Sequence, residues 1–124
     1  MHTLLEVRTA VYGLLAILLL SSCSALPRKW TRKTHFGAED LHSENPVYQI
    51  QAIRSVVDSH DQTQLPTLLQ LMIEGEPSVR ENAFWGVSQL THHPMSAYHS
   101  YDPIKERQAA VTAWKTDHEG LAQP

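Results

Sequence analysis

Glu76-Pro77-Ser78-Val79-Arg80-Glu81-Asn82-Ala83-Phe84-Trp85-Gly86-Val87-Ser88-Gln89-Leu90 is the stretch on which the reading of this chain turns. Pro77 suits the first position of a helix, where a missing N–H costs nothing. At about 100° per residue, Val79, Ala83, Gly86, Val87 and Leu90 fall in one narrow stripe. Phe84 sits at its margin. Trp85 falls on the opposite side, among Glu81, Ser88 and Gln89. A stripe of small apolar residues needs a second helix to cover it, so this segment predicts a packed neighbour.

The flanking sequence supplies candidates for that neighbour. Residues 62–74 read as a helix capped by Asp61, with Pro66 within the first turn or so, where its missing donor is tolerated. Leu65, Leu68, Leu69, Leu71, Met72 and Ile73 cover more than half of its circumference, and Gly75 closes it. Residues 46–59 read as an earlier helix opened by Pro46. Val47, Ile50, Ile53 and Val57 line one of its faces, with Ala52 and Val56 on an adjoining one. A helix over 103–118 carries Ile104, Ala110, Val111 and Trp114, and Gly120 ends it. Leu41 is a candidate start for a further short helix. Four helices without an alternating strand pattern make the expected fold all-α.

A shift of 31 residues lays the first of these helices on the third: Pro46 falls on Pro77, Tyr48 on Val79, Ala52 on Ala83 and Val56 on Val87. Repetition near this period, carried by two helices, is a solenoid pattern. Glu76-Pro77-Ser78-Val79-Arg80, followed by Ala83 and Val87, resembles the short HEAT-like repeats of the PBS-lyase type, with Glu76 in place of the more usual Asp. The closing segment from Tyr101 through Asp102-Pro103 and Arg107 to Trp114 is similar to a terminal version of that helix. It is like those that finish bacterial HEAT-repeat envelope proteins. The resemblance covers residues 45–119 and implies a short α-solenoid of antiparallel helix pairs. Its repeat residues here would be Pro77, Val79, Arg80, Ala83, Val87, Arg107 and Trp114. Nothing before Asn45 offers a clear partner helix, so the first repeat reads as incomplete. Some such families are bilin lyases, but no reactive cysteine remains here for that chemistry.

The front of the chain is of another kind. Residues 10–20 form an apolar run after Arg8, of the length of a signal-peptide core and short of the roughly 20 residues a bilayer span needs. The run ends in Leu20-Ser21-Ser22-Cys23, which resembles a bacterial lipobox. Cys23 is the single cysteine, which rules out an intramolecular disulfide. The alternative is an uncleaved signal anchor with Cys23 incidental. The expected layout is a lipoprotein signal peptide over 1–22, a lipidated, mostly irregular tether over 23–44, the helical repeat domain over 45–120 and a tail over 121–124. Resemblance to known sorting, with Ser24 after the lipid-bearing cysteine, favours the outer membrane in a cell with two membranes.

Charge divides in the same place. Arg28, Lys29, Arg32 and Lys33 make the tether basic, whereas from Ala38 onward five basic residues face twelve acidic ones, a net charge of −7. A basic tether beside a diacylglyceryl-Cys23 adds about 1 kcal/mol per charge at an anionic lipid surface; the other reading is a solvated linker. The acidic body argues against nucleic acid as a partner.

Chemistry-bearing patterns are sparse. Gly-x-Ser-x-Gly, P-loop, Gly-x-Gly-x-x-Gly and His-Glu-x-x-His are all missing from the sequence, which is read as that of a non-enzyme. His92, His93 and His99 raise a metal reading, but adjacent histidines point apart and no cysteine completes a zinc spacing. Surface histidines are the expectation, with neither a metal nor another cofactor. Arg80 and Arg107 border apolar stripes, where each either pairs with a local acid or satisfies loop carbonyls. Trp85, Tyr98 and Tyr101 are the candidate partner-binding residues, since Trp and Tyr dominate interface hot spots; the alternative is that they pack the 92–101 loop over the helix. The expected function is that of a membrane-anchored interaction or scaffold module for an unidentified protein partner. A capping or structural subunit of a larger envelope assembly is the first alternative, and an envelope enzyme or metal binder that uses the histidine loop is the second.

Overall fold

The computed structural model describes residues 33–121. Cys23, Arg28, Lys29, Trp30 and Arg32 lie outside the described residues. The compact unit begins at Thr34 and is built from four α-helices: α1 (Pro46–Asp58), α2 (Leu65–Glu74), α3 (Pro77–Thr91) and α4 (Ile104–Asp117). Short 3-10 turns cover Ala38–His42 and Gln62–Gln64, and no strand occurs among the described residues. The fold is all-α. None of the described helices is long and apolar enough to cross a membrane.

Each helix start has a local cause. Asn45 Oδ1 accepts from the Val47 N–H at 3.0 Å, and Pro46 takes the first position of α1. Asp61 caps as expected, but what it caps is a 3-10 turn, through the Thr63 N–H at 3.2 Å. The α-helix proper therefore begins at Leu65, which puts Pro66 within its first two positions, where no intrahelical donor is needed. Gly75 ends α2 in extended backbone, not in a left-handed one. What demands glycine is space: a Cβ there would stand 2.6 Å from the Leu71 carbonyl oxygen and 3.1 Å from Val79 Cγ1. His92 closes α3 in the left-handed region, at φ 55°.

α3 is the centre of the unit. It packs on both α1 and α2, and its stripe of Val79, Ala83, Gly86, Val87 and Leu90 is buried. At Gly86 the approach is closest. A Cβ there would lie 3.0 Å from Ile53 Cγ2 on α1 and 3.3 Å from Leu68 Cδ1 on α2, with Val57 Cγ2 at 3.6 Å. Ile53 and Leu68 are fully buried, so α1, α2 and α3 meet where one residue has no side chain. The Gln62 side-chain amide secures the far end by donating to the Leu90 carbonyl at 2.7 Å.

The ordered body starts ahead of Asn45. Within the segment expected to be mostly irregular, the turn over Ala38–His42 packs on α1 and places Leu41 fully in the core. The Gln49 amide donates to the Leu41 carbonyl at 3.0 Å, and Phe36 meets Tyr48 edge-on at 5.3 Å. The short helix expected to start at Leu41 is thus a turn that begins three residues earlier, and it covers part of α1.

Two stripe assignments change. Val47 is 60% exposed and Ile104 47% exposed, each in the first turn of its helix. In α4 the buried place one turn on belongs to Arg107, alongside Val111 and Trp114. α4 packs against α2. Residues 92–103 explain the placement. Met95 and Tyr98 are buried, and the Tyr98 hydroxyl donates to the Met72 carbonyl at 2.7 Å, so this connection is drawn back to the C-terminal end of α2.

Gly86→Val should therefore lower stability by about 1–3 kcal/mol through overpacking. Gly86→Ala, whose helix propensity offsets its tighter contacts, should stay within about 1 kcal/mol of wild type. Urea midpoints at unchanged m-value measure both; equal midpoints for Gly86→Val and wild type would contradict this packing.

Candidate functional site

The exposed side of α3 is where a site has room to form. Trp85 is 41% exposed, an unusual amount for an indole on a helix whose other aromatic, Phe84, is half-buried. Together with Asn82, one turn earlier, it faces Arg54 and Asp58 of α1 across a groove of about 510 Å³. A second hollow, lined by Thr34, His35, Phe36, Gln51 and Ser55, shares Arg54 and Asp58 as a wall. The two hollows form a channel along α1 with an Arg–Asp ridge between them.

The polar groups of this channel are largely unspent. The Asn82 amide nitrogen donates to the Ser78 carbonyl at 2.8 Å, a bond within its own helix. Among the described residues neither the Arg54 nor the Asp58 side chain forms a hydrogen bond or an ion pair, although they stand four residues apart on one helix. A guanidinium, a carboxylate and an indole face thus line one wet groove, each able to take up an outside group.

The other expected partner residues do not share that surface. Tyr98 is 4% exposed: its ring stacks on Phe84 at 5.3 Å and its hydroxyl is used on Met72. It is thus not available to a partner; it pins the 92–103 connection over the helices. Burial raises its phenol pKa to about 12, and the nearby Arg80 and Arg107 only partly counter this. Tyr101 is 80% exposed beside His99, whose ring centroid lies 5.7 Å away, on the loop and apart from the Trp85 groove. Of the three aromatics, Trp85 alone lines the groove.

Arg80 and Arg107 both spend their guanidinium forks on carbonyls. Arg80 Nε donates to Ser100 at 2.7 Å and its Nη1 to Gly75 at 3.1 Å. Arg107 donates from Nε and Nη2 to Ile73, at 3.1 and 2.8 Å, and from Nη1 to Asp102. Val79, Ala83, Val87 and Trp114 are buried, and Pro77 opens α3. These repeat residues thus do structural work at the joints between helices. Among the described residues no buried side-chain nitrogen or oxygen lacks a hydrogen-bond partner.

The histidines of the loop are dispersed. His99 Nδ1 meets Asp102 Oδ2 at 3.3 Å, His92 holds the end of α3, and His93 turns toward α4. No group of three or more His, Cys, Asp or Glu side chains suited to a metal ion occurs among the described residues.

Arg54, Asp58 and Asn82 were not singled out by the sequence, yet the 31-residue shift pairs Arg54 with Trp85 and Gln51 with Asn82. That register is a signal for Arg54 and Asn82, whereas Asp58 falls on Gln89, outside the groove. No family model matches the chain, nor does any curated protein or solved structure.

Tyr98→Phe should lower stability by about 1 kcal/mol, because the Met72 carbonyl loses its donor in a buried place. The raised phenol pKa also predicts a pH effect. The unfolded tyrosine releases its proton near pH 10 and the folded one near 12, so its stabilising contribution is complete below pH 10 and is lost between 10 and 12. Denaturation midpoints across that window should fall more steeply for wild type than for Tyr98→Phe.

Proposed function

We propose that this chain is an exported, lipid-anchored protein of the cell envelope that binds a protein partner through the groove around Trp85. The exposed indole carries the reading. Trp85 protrudes from the best-packed helix of the unit, beside Arg54 and Asp58 side chains with no partner among the described residues. Among the described residues Trp85, Arg54 and Asp58 are exposed side chains of this face.

The all-α build, the two-residue link between α2 and α3 and the 31-residue register support an arrangement of antiparallel pairs like a short HEAT-like solenoid. In that arrangement the outward faces of α1 and α3 form one side, where an extended partner segment lies along the channel. The lipobox-like Leu20-Ser21-Ser22-Cys23 supplies the anchor through a diacylglyceryl-Cys23, with Arg28, Lys29, Arg32 and Lys33 adding attraction to anionic lipid. The outer membrane is the favoured address in a cell with two membranes. A second reading, a capping subunit of a larger envelope assembly, draws on Val47 and Ile104, which stay exposed at helix starts.

Two measurements test the proposal. Cys23→Ser should move the chain from the membrane fraction to the soluble one, and mass spectrometry of wild type should find a diacylated Cys23 as the first residue; an intact Met1 defeats the anchor. Trp85→Ala should retain the wild-type melting temperature yet lose, by tenfold or more, the partner that cross-linking and capture recover with wild type from solubilised membranes. Equal recovery by the variant defeats the groove.

A further inference from the structure

His93 and His118 stand 25 positions apart in the chain, and the fold brings their rings together, with centroids 4.9 Å apart and planes tilted by 46°. A single buried residue sets both. The Trp114 indole N–H donates to the His93 carbonyl at 3.2 Å and so fixes the backbone from which one imidazole springs. The same indole stacks on His118 at 4.6 Å and 23°, and the Trp114 carbonyl lies 2.9 Å from His118 Nδ1. A carbonyl oxygen only accepts, so in the neutral ring Nδ1 holds the proton and Nε2 keeps its lone pair.

An imidazole whose far nitrogen donates to a backbone carbonyl is the arrangement that surrounds metal-bound histidine, because it selects the tautomer and holds the ring. The spacing agrees with that use. With metal–nitrogen bonds of about 2.0–2.1 Å, two imidazoles on one tetrahedral ion have their centroids about 5 Å apart.

We propose that His93 and His118 form a two-imidazole site for a divalent late transition-metal ion, Zn²⁺ or Cu²⁺, held in place by Trp114. Imidazole suits both ions, and Cu²⁺ binds the more tightly of the two. Two protein ligands leave the other positions to water, so the site takes up and releases its ion, unlike a closed four-ligand structural site. Bound metal joins the connection after α3 to the end of α4, and because it binds only the folded chain it raises the melting temperature.

The test uses the untagged full-length protein in detergent, titrated with Zn²⁺ alone by calorimetry and with Cu²⁺ alone by tryptophan fluorescence. One saturable equivalent of metal is expected, with Cu²⁺ quenching the emission of Trp114. His93→Gln, which changes an exposed ring and keeps the backbone carbonyl, should weaken Zn²⁺ binding at least tenfold and abolish the thermal shift. His92→Gln and His99→Gln should bind as wild type does. His118→Gln should lose binding also, with His93→Gln serving as the variant whose packing is unaffected. Absence of saturable binding overturns the site, as does wild-type affinity in His93→Gln or a loss that follows His92 or His99 instead.

Discussion

Three helices can close on one another here because Gly86 puts nothing between them. Ile53 and Val57 approach it from α1 and Leu68 from α2, at distances where a larger side chain must push a fully buried neighbour aside. Interiors packed at crystal-like density do not yield such space readily. The small stripe of α3 is thus the surface to which both other helices are fitted. α4 and the 92–103 connection depend on it at one remove, since they attach to the C-terminal end of α2 through Tyr98 and Arg107.

Much of this was legible in the sequence, for a physical reason. A helix that buries one stripe must space its apolar residues by the helical period, and prolines mark where the segments begin. Val79, Ala83, Gly86, Val87 and Leu90 obey that rule and are buried. What escaped were positions where the first turn runs past its neighbour, as at Val47 and Ile104, or where a polar side chain takes a buried place. Arg107 was half legible: the sequence set loop carbonyls against a local acid as its partner, and the fold shows that the acceptors are the carbonyls of Ile73 and Asp102. Leu41 was read as the start of a short helix; it lies instead inside the turn over Ala38–His42, and its place in the core has no period to announce it.

The candidate sites divide along the same line. Trp85 was legible because it stands on the wrong side of an amphipathic helix, and its neighbour Arg54 follows once the 31-residue shift is applied to the outward face, whereas Asp58 does not. For Tyr98 the sequence offered two readings, a partner contact or a residue that packs its loop over the helix, and the structure takes the second. Its burial arises from a stack on Phe84 and a hydroxyl aimed at a distant carbonyl, neither of which leaves a periodic trace. The His93–His118 pair is more remote still, since it exists only because α4 returns to lie beside the end of α3's loop.

Arg80 and Arg107 have one more property worth following. Surface joints of this size are often made from ion pairs, whose strength changes with ionic strength and with the protonation of the acid. Here the acceptors are the carbonyls of Ser100, Gly75, Ile73 and Asp102, which do not titrate, and a guanidinium stays charged throughout the range a cell meets. These contacts are also partly buried, where salt screens little. The helix joints are therefore indifferent to the acidity and salinity of their surroundings, which suits a protein proposed to work where no cytoplasm buffers either one.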